Sequence, residues 1–268
     1  MTTATVHHTA VRGADMAWTE TGTGPTAIWA HGLSSSKDAQ EHVGMFDWSP
    51  VSRAGHRLIR FDARGHGQST SADNPSLFEW PSLGKDLLGL ADALAPGESV
   101  SGIGTSMGTA TLLWAAVDDP TRFDRLVLTA APTARETRAA MAAAYEAGAA
   151  MVERDGIAGF AAMSASLPVP APFSQLPSYP PPLDVDPALL PSVLRGAARS
   201  DLPPLELLRR IDLPVLLLSW TGDPGHPVSS AEMLADAIPG ARLEVSSSAD
   251  EILKWGHTAA DFLETKAG

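Results

Sequence analysis

The sequence predicts an α/β protein built on a mostly parallel β-sheet with helices on both faces. Short apolar runs, such as residues 26–30 and 214–220, have the length and composition of buried strands. Segments with helical spacing, such as residues 83–94, separate these runs. A glycine-rich turn also joins the strand-like residues 98–101 to a helical segment. Such alternation is typical of parallel sheets, because each parallel connection needs a crossover.

Taken in order, the chain offers eight strand candidates and five helix candidates outside one central segment. The strand candidates are residues 6–11, 16–21, 26–30, 57–61, 98–101, 125–129, 214–220 and 241–245. The helix candidates are residues 38–51, 83–94, 109–117, 229–237 and 257–265. Residues 12–15 have the composition of a hairpin turn between the first two strands.

The central segment, residues 133–212, contains no strand candidate. Its helix candidates are residues 136–154, 156–167 and 202–211. Residues 168–191 contain nine prolines, and such a stretch cannot hold a helix or a central strand. We therefore expect a helical, proline-rich lid at 133–212, inserted between two parts of a core domain at 1–132 and 213–268.

Composition narrows the function before any motif is considered. A chain of 268 residues, 44% of them hydrophobic, can bury a substantial core. A net charge of −12 without a basic run argues against nucleic acid as a partner. The absence of cysteine excludes disulfides, a thiolate nucleophile and cysteine metal sites. No run has signal-peptide or membrane-spanning character, so we expect a cytoplasmic protein without a membrane partner.

The glycine-rich turn has the pattern of a nucleophile elbow. Gly104-x-Ser106-x-Gly108 lies between a strand and a helix, the context that gives this pattern its meaning. A sharp turn there would expose the Ser106 hydroxyl in a strained conformation, and the glycines would let strand and helix cross closely. The helix N-terminus would direct free N–H groups at a developing oxyanion.

Five motifs in order carry a resemblance to a known family. They are His31-Gly32, Phe61-Asp62-x-Arg64-Gly65-His66-Gly67-x-Ser69, Gly104-x-Ser106-x-Gly108, Gly222-Asp223-x-x-x-Pro227 and Gly256-His257. Over residues 16–263 the sequence resembles the lidded α/β-hydrolases, which include esterases, lactonases, C–C bond hydrolases and cofactor-free haloperoxidases. The resemblance implies an α/β-hydrolase fold with an eight-stranded sheet and a helical lid.

Serine chemistry requires a base and a buried acid. A serine hydroxyl is a weak nucleophile unless a base takes its proton, and histidine suits this role at neutral pH. In this fold the base follows the serine and the acid, which leaves His226 and His257 as candidates. His226 is so close to Asp223 in the chain that we expect the two not to form a linear relay. We therefore predict His257 as the base and His226 at the pocket entrance or the surface.

Asp223 is the predicted acid, because it follows the strongest apolar strand and precedes Pro227 as in the family. The alternative acid position, after the strand at 125–129, offers no carboxylate. Asp250 and Glu251 lie too close to His257. The segment before His257 departs from the family pattern, since residues 246–256 are longer and more polar than is usual there.

The remaining site residues follow from the oxyanion hole and the lid. The predicted donors are the backbone amides of Met107, which follows the serine, and Leu33, which follows His-Gly in the family. We expect His31 to brace this loop, and Asp62, Arg64 and His66 to support it. Apolar lid residues are expected either to face the substrate or to form the lid's own core. The predicted pocket residues are His31, Gly32, Ser34, Phe160, Met163, Phe173, Tyr179 and Trp255.

These predictions describe a serine hydrolase that cleaves a small to medium apolar ester, thioester or lactone through an acyl-enzyme on Ser106. No metal or organic cofactor is implied. Two alternatives stay open. The same residues could support C–C bond hydrolysis or the perhydrolysis of a cofactor-free haloperoxidase. The fold also serves as a small-ligand receptor and as a scaffold for cofactor-free oxygenases, which are not hydrolases.

Overall fold

An eight-stranded β-sheet forms the centre of the molecule in the computed structural model, which describes residues 4–44, 46–166, 169–174, 179 and 181–264. The strands are β1 (His7–Val11), β2 (Ala14–Thr21), β3 (Thr26–Ala30), β4 (Arg57–Phe61), β5 (Val100–Thr105), β6 (Phe123–Thr129), β7 (Val215–Trp220) and β8 (Arg242–Ser246). Their order is β1-β2-β4-β3-β5-β6-β7-β8. Strand β2 pairs antiparallel with both β1 and β4, and the pairs from β4 to β8 are parallel. The predicted mostly parallel, eight-stranded sheet is confirmed.

The helices pack on both faces of this sheet. They are α1 (Lys37–Val43), α2 (Ser49–Arg53), α3 (Trp80–Leu94), α4 (Met107–Asp118), α5 (Arg138–Ser166), α6 (Leu190–Ala198), α7 (Leu205–Leu208), α8 (Val228–Ala237), α9 (Ala249–Ile252) and α10 (Trp255–Glu264). In α3, Leu83, Leu87 and Leu90 are buried at helical spacing. No helix in the described ranges has the length and apolar character needed to cross a membrane.

Three helix predictions differ from the structure. The segment predicted at 38–51 forms two short helices, and α2 begins with Pro50 in its first turn. Helix α6 was not predicted because it follows the proline-rich stretch, although a proline in the first turn of a helix is compatible with it. The short helix α9 lies in the polar segment before α10. The predicted helix ends at Leu167 and Thr265 lie outside the described residues, as do residues 168, 175–178 and 180 of the proline-rich stretch.

Alternate side chains of each central strand enter two separate cores. In β3, Ile28 belongs to the core on one face, and Trp29 belongs to the core on the other. In β7, Leu217 lies in the first core and Leu216 in the second. Strands that are buried on both faces explain the continuous apolar runs of the sequence.

The chain leaves the sheet between β6 and β7. Helix α5 is interrupted at Gly156, whose φ of 73° and ψ of 177° break the helix where the sequence predicted a boundary. Helices α5 and α6 pack on each other around a third core, which includes Val152, Phe160 and Val193. This segment therefore has an apolar core of its own.

Glycine is required where α4 crosses the sheet. A Cβ atom at Gly108 would lie 2.0 Å from the carbonyl oxygen of Ala30, and one at Gly104 would lie 2.7 Å from the backbone of Gly108. Real Cβ atoms do not approach backbone atoms so closely, so a side chain at either position would push α4 away from β3 and β5. This packing fixes the position of the turn that contains Ser106.

Two buried histidines brace the loop after β3. His31 Nε2 accepts a hydrogen bond from the Ala63 amide at 2.9 Å, so its Nδ1 carries the proton and donates to the Gly32 carbonyl at 2.8 Å. His66 Nε2 accepts from the Ser34 amide at 3.3 Å, and its Nδ1 donates to the Arg64 carbonyl at 2.9 Å. Both rings must be neutral for these contacts to form. The bracing role expected for His31 is confirmed.

Charged residues of the motif at 61–69 also support this loop. Asp62 Oδ1 accepts the Lys37 amide at 2.9 Å, and Asp62 Oδ2 pairs with Lys37 Nζ at 3.1 Å. Arg64 binds both carboxylate oxygens of buried Asp86, at 2.6 and 2.7 Å. The supporting role expected for Asp62 and His66 is confirmed, whereas the Arg64 side chain ties the motif to α3 and not to this loop.

Substitution Gly108→Ala should destabilise the protein by about 3 kcal/mol, because the added methyl overlaps the Ala30 carbonyl. Gly97→Ala is the matched control. Gly97 has a φ of 76° with no atom within 4 Å of an added Cβ, so only backbone strain of about 1 kcal/mol is expected. Urea unfolding measures both free energies, and equal losses would contradict the crossing as the source of the constraint.

Acid should weaken the fold through the buried histidines. Burial lowers the pKa of His31 to about 4 and that of His66 to about 3, against 6.5 for an ordinary histidine. The unfolded chain therefore binds protons first, so this stability is complete above pH 6.5 and is lost as the pH falls towards 4 and 3. The shift for His31 corresponds to a loss on the order of 3 kcal/mol.

Urea unfolding between pH 7.5 and pH 4 measures this effect. His31→Gln and His66→Gln should each flatten the pH dependence of the free energy of unfolding, because glutamine can accept a hydrogen bond but does not titrate in this range. Exposed His257→Gln is the control and should leave the slope unchanged. If the free energy of unfolding depends on pH in the same way in the wild type and all three variants, the buried histidines do not cause that dependence.

Candidate active site

Ser106 occupies a strained turn between β5 and α4. Its φ of 53° and ψ of −109° lie outside the conformations that non-glycine residues usually adopt. Its amide donates to the Thr129 carbonyl at 3.0 Å, and this bond ties the turn to β6. The side chain is partly exposed and lines a cavity. The strained elbow predicted from Gly-x-Ser-x-Gly is therefore present.

A continuous hydrogen-bond chain links Ser106, His226 and Asp223. His226 Nε2 lies 2.8 Å from Ser106 Oγ, and His226 Nδ1 lies 2.8 Å from Asp223 Oδ2. Because a carboxylate only accepts hydrogen bonds, Nδ1 carries the proton and Nε2 is free to accept one from the serine hydroxyl. The arrangement can deprotonate Ser106 and stabilise the resulting imidazolium.

A tight turn brings the aspartate and the histidine together. The His226 amide donates to the Asp223 carbonyl at 3.2 Å, and the Gly225 amide donates to Asp223 Oδ1 at 2.8 Å. Gly222, with a φ of 82°, begins this turn at the end of β7. The turn directs both side chains towards Ser106, so three residues of separation suffice for a relay.

The geometry of the structure contradicts the prediction that His257 is the base. His257 lies exposed in the first turn of α10, and the ring at hydrogen-bonding distance from Ser106 belongs to His226. The expectation that His226 is too close to Asp223 for a relay is wrong for the same reason. A Cβ at Gly256 would lie 2.0 Å from the Asp47 carbonyl, so tight packing holds the start of α10 against the segment before α2.

The environment keeps Asp223 ionised. Burial raises the pKa of this carboxyl, but the hydrogen bond and charge of His226 oppose burial, as do donors from Gly225 and Trp220. The net result lowers its pKa to about 2. Only 12% of the Asp223 side chain and 25% of the His226 side chain are exposed. The pair is thus largely sheltered from water but open towards the cavity.

Two backbone amides are candidates for the oxyanion hole, that of Met107, which follows Ser106 in the chain, and that of Leu33, which lines the same cavity as Ser106. Met107 is the first residue of α4, so its amide has no acceptor within the helix. The Leu33 amide donates to no protein acceptor within the described part of the chain. Gln40 Oε1 accepts the Gly32 amide at 3.0 Å, and Ser34 has a φ of 55°, so this backbone is held in a defined conformation. These are the donors predicted for an oxyanion.

A cavity of about 260 Å³ opens over the serine. Its walls come from the loop after β3, the carboxyl ends of β5, β6 and β7, and the segment between β6 and β7. The lining residues are Gly32, Leu33, Ser34, Ser35, Gln40, Phe46, Thr105, Ser106, Ala130, Tyr145, Tyr179, Pro181, Trp220, Asp223 and His226. Of the eight predicted pocket residues, Gly32, Ser34 and Tyr179 line this cavity.

The other five predicted pocket residues do not line it. His31 is buried behind the loop that it braces. Phe160 and Met163 pack in the third core, which was the alternative left open for the lid residues. Phe173 and Trp255 are buried against Trp220 in the second core.

His226 was predicted at the pocket entrance or the surface but not as the base, and several other cavity residues were not predicted at all. Gln40 and Phe46 come from the α1 region, and Tyr145 comes from α5, so only the tertiary fold brings them to the serine. Trp220 is the last residue of β7, and its position at the carboxyl end of a central strand was an available signal. The turn composition of Asp223-Pro224-Gly225-His226 was the signal for His226.

Comparisons with known proteins agree with this fold. A profile of the alpha/beta hydrolase fold matches residues 28–168. The protein 3-oxoadipate enol-lactonase 2 of Acinetobacter baylyi is 31% identical over 195 residues, which cover 70% of this chain and 69% of that protein.

Solved structures resemble the whole chain. A thermophilic esterase from Thermogutta terrifontis has a TM-score of 0.79 at 21% identity, covering 97% of this chain and 98% of the other. The enol-lactonase from Burkholderia xenovorans LB400 has a TM-score of 0.69 at 23% identity, covering 97% and 100%. Structural similarity at 21% and 23% identity establishes the fold alone. The profile match and the Acinetobacter relative establish the family. The chain belongs to the alpha/beta hydrolase fold family and is a hydrolase.

Proposed function

We propose that this protein is a serine hydrolase that cleaves carboxylic esters, thioesters or lactones through an acyl-enzyme on Ser106. The hydrogen-bond chain from Ser106 through His226 to Asp223, at the floor of a cavity, carries the proposal. The similar proteins named as enol-lactonase and esterase support an ester or lactone as the substrate class. Asp223 is the acid, and His226 is the base in place of His257.

In the first half-reaction, Ser106 Oγ attacks the carbonyl carbon while His226 Nε2 takes the hydroxyl proton. The carbonyl π electrons move to the oxygen, and the amides of Leu33 and Met107 donate hydrogen bonds to this oxyanion. Asp223 stays ionised and stabilises the imidazolium. When the tetrahedral intermediate collapses, the leaving oxygen or sulfur takes the proton from His226 Nε2, and the acyl group remains on Ser106.

In the second half-reaction, water takes the place of the leaving group. His226 Nε2 removes a proton from the water as its oxygen attacks the acyl carbon, and the same amides bind the second oxyanion. Collapse releases the carboxylic acid and returns the proton to Ser106 Oγ. With a lactone, the acid and the alcohol are parts of one product molecule.

The cavity favours a small to medium substrate of mixed character. Phe46, Ala130 and Trp220 supply apolar surface, and Gln40 supplies an amide group. We infer that residues 133–212 form a lid, because Tyr145, Tyr179 and Pro181 from this segment help to enclose the cavity. These two tyrosines are the only ones in the chain, and their hydroxyls offer hydrogen bonds to a substrate oxygen.

Covalent labelling by a fluorophosphonate separates the two histidines. The wild type should gain one phosphonyl group, and Ser106→Ala should gain none. His226→Ala should slow the labelling by about 10³-fold, because the serine loses its base. His257→Ala is the matched control and should react at the wild-type rate. Intact-mass spectrometry over time measures the rates, and circular dichroism confirms that each variant is folded.

Slow labelling of His257→Ala with normal labelling of His226→Ala would contradict the assignment of the base. A folded wild type that resists both a bulky and a small fluorophosphonate would contradict the proposed activity itself. A panel of p-nitrophenyl esters, aryl thioesters and lactones then defines the acyl group, and product analysis verifies that each ester gives acid and alcohol in equal amounts.

A further inference from the structure

The aspartate of the relay is held by a third residue. Trp220, the last residue of β7, donates its indole N–H to Asp223 Oδ2 at 3.0 Å. This is the same oxygen that accepts the His226 Nδ1 proton at 2.8 Å. The other carboxylate oxygen accepts the Gly225 amide. Three donors therefore surround the carboxylate, and they come from the strand, the turn and the histidine.

The indole is itself held rigidly. Trp220 is 3% exposed, and its ring stacks on Trp255 with 5.3 Å between ring centroids. The Phe173 ring meets it edge-on at 4.8 Å, and Phe46 lies 6.3 Å away. A ring that is packed on several sides keeps one rotamer, so its N–H is directed at Asp223 before any substrate binds.

The direction of the hydrogen bond from Trp220 to Asp223 matters because Asp223 lies on a short turn. A hydrogen bond from the last residue of β7 connects the Asp223 carboxylate directly to the central sheet. The bond also uses one of the lone pairs of Oδ2, so the remaining lone pair has a defined direction towards His226. The His226 ring, 5.5 Å from the indole and tilted by 66°, then meets both Asp223 and Ser106.

We propose that Trp220 is a positioning residue, which orients Asp223 so that His226 is aligned with Ser106. This inference rests on the proposed serine hydrolase activity. Trp220 acts through Asp223 and takes no part in proton transfer. The role of its indole N–H is separate from the role of its ring, which packs in the second core and lines the cavity.

Removal of the indole N–H of Trp220 should have two effects. The carboxylate loses a fixed orientation, so kcat should fall about tenfold, the value of one hydrogen bond to a charged group. The carboxylate also becomes more basic and holds the protonated imidazole more strongly. The acidic limb of the kcat/KM profile should therefore move to higher pH, by about 0.5.

The tyrosines near Asp223 do not interfere with this limb. The titratable groups that interact with Asp223 are His226 on its own turn, Tyr145 on α5 and Tyr179. Burial raises the pKa of Tyr145 above its ordinary value and that of Tyr179 to about 12. A change on the acidic limb therefore reports on the Asp223–His226 pair.

The test replaces Trp220 by phenylalanine and by benzothienylalanine, a tryptophan isostere in which sulfur replaces the N–H. Benzothienylalanine at Trp255 is the matched control, because it keeps the ring that stacks on Trp220 and removes only the N–H. Trp255 is buried in the same aromatic cluster and also donates its indole N–H, but to Ser246 Oγ at 3.0 Å. Each protein is assayed for kcat, KM and kcat/KM from pH 5 to pH 9 with the best ester of the panel.

Both changes at Trp220 should lower kcat and shift the acidic limb, and the isostere should do so with KM unchanged because the ring shape is kept. The same isostere at Trp255 should keep the wild-type acidic limb. An isostere variant at Trp220 with wild-type kcat and pH profile would overturn the proposal, as would an equal shift caused by the isostere at Trp255. Fluorophosphonate labelling of the wild type is measured in parallel. An unreactive wild-type serine refutes the hydrolase proposal and this inference together, whereas normal wild-type reactivity confines a negative result to Trp220.

Discussion

The two hydrogen bonds of the His226 ring are the interaction on which the proposed site depends. Ser106 follows β5, and the Asp223–His226 turn follows β7, so β6 lies between them in the sheet. Two strand spacings amount to about 10 Å, a gap that the side chains must close. Ala130, at the end of β6, has a small side chain and lines the cavity. The histidine can therefore reach across β6 to the serine.

The proposed acid and base lie on one turn, so the segment after β8 does not supply the base. The described residues of that segment pack against the rest of the molecule instead. Ser248 caps α9, and Trp255 donates to Ser246 and stacks on Trp220. The polar composition of residues 246–256, which departs from the family pattern, fits this structural role. Trp220 then joins the packing of the chain end to the carboxylate of Asp223.

The sheet and half of the site could be predicted because their signals are local. The strand candidates overlap all eight strands, although the candidate at 98–101 shares only two residues with β5, and the glycines at 104 and 108 identified the Ser106 turn. The base could not be chosen by the same means. Chain order admits both His226 and His257, and only the closed turn at Asp223 shows that neighbours three residues apart can form a relay. Gln40 and Tyr145 reach the cavity through tertiary packing, which has no local signal.

The most direct measurement is the proton NMR spectrum of the folded protein at low field, where an imidazole N–H bound to a carboxylate resonates. The account predicts one strongly deshielded proton on His226 Nδ1. This signal should disappear in His226→Gln and in Asp223→Asn and persist in His257→Gln. A signal that survives His226→Gln and disappears in Asp223→Asn and in His257→Gln would show that His257 is the partner of the acid, and would contradict this assignment.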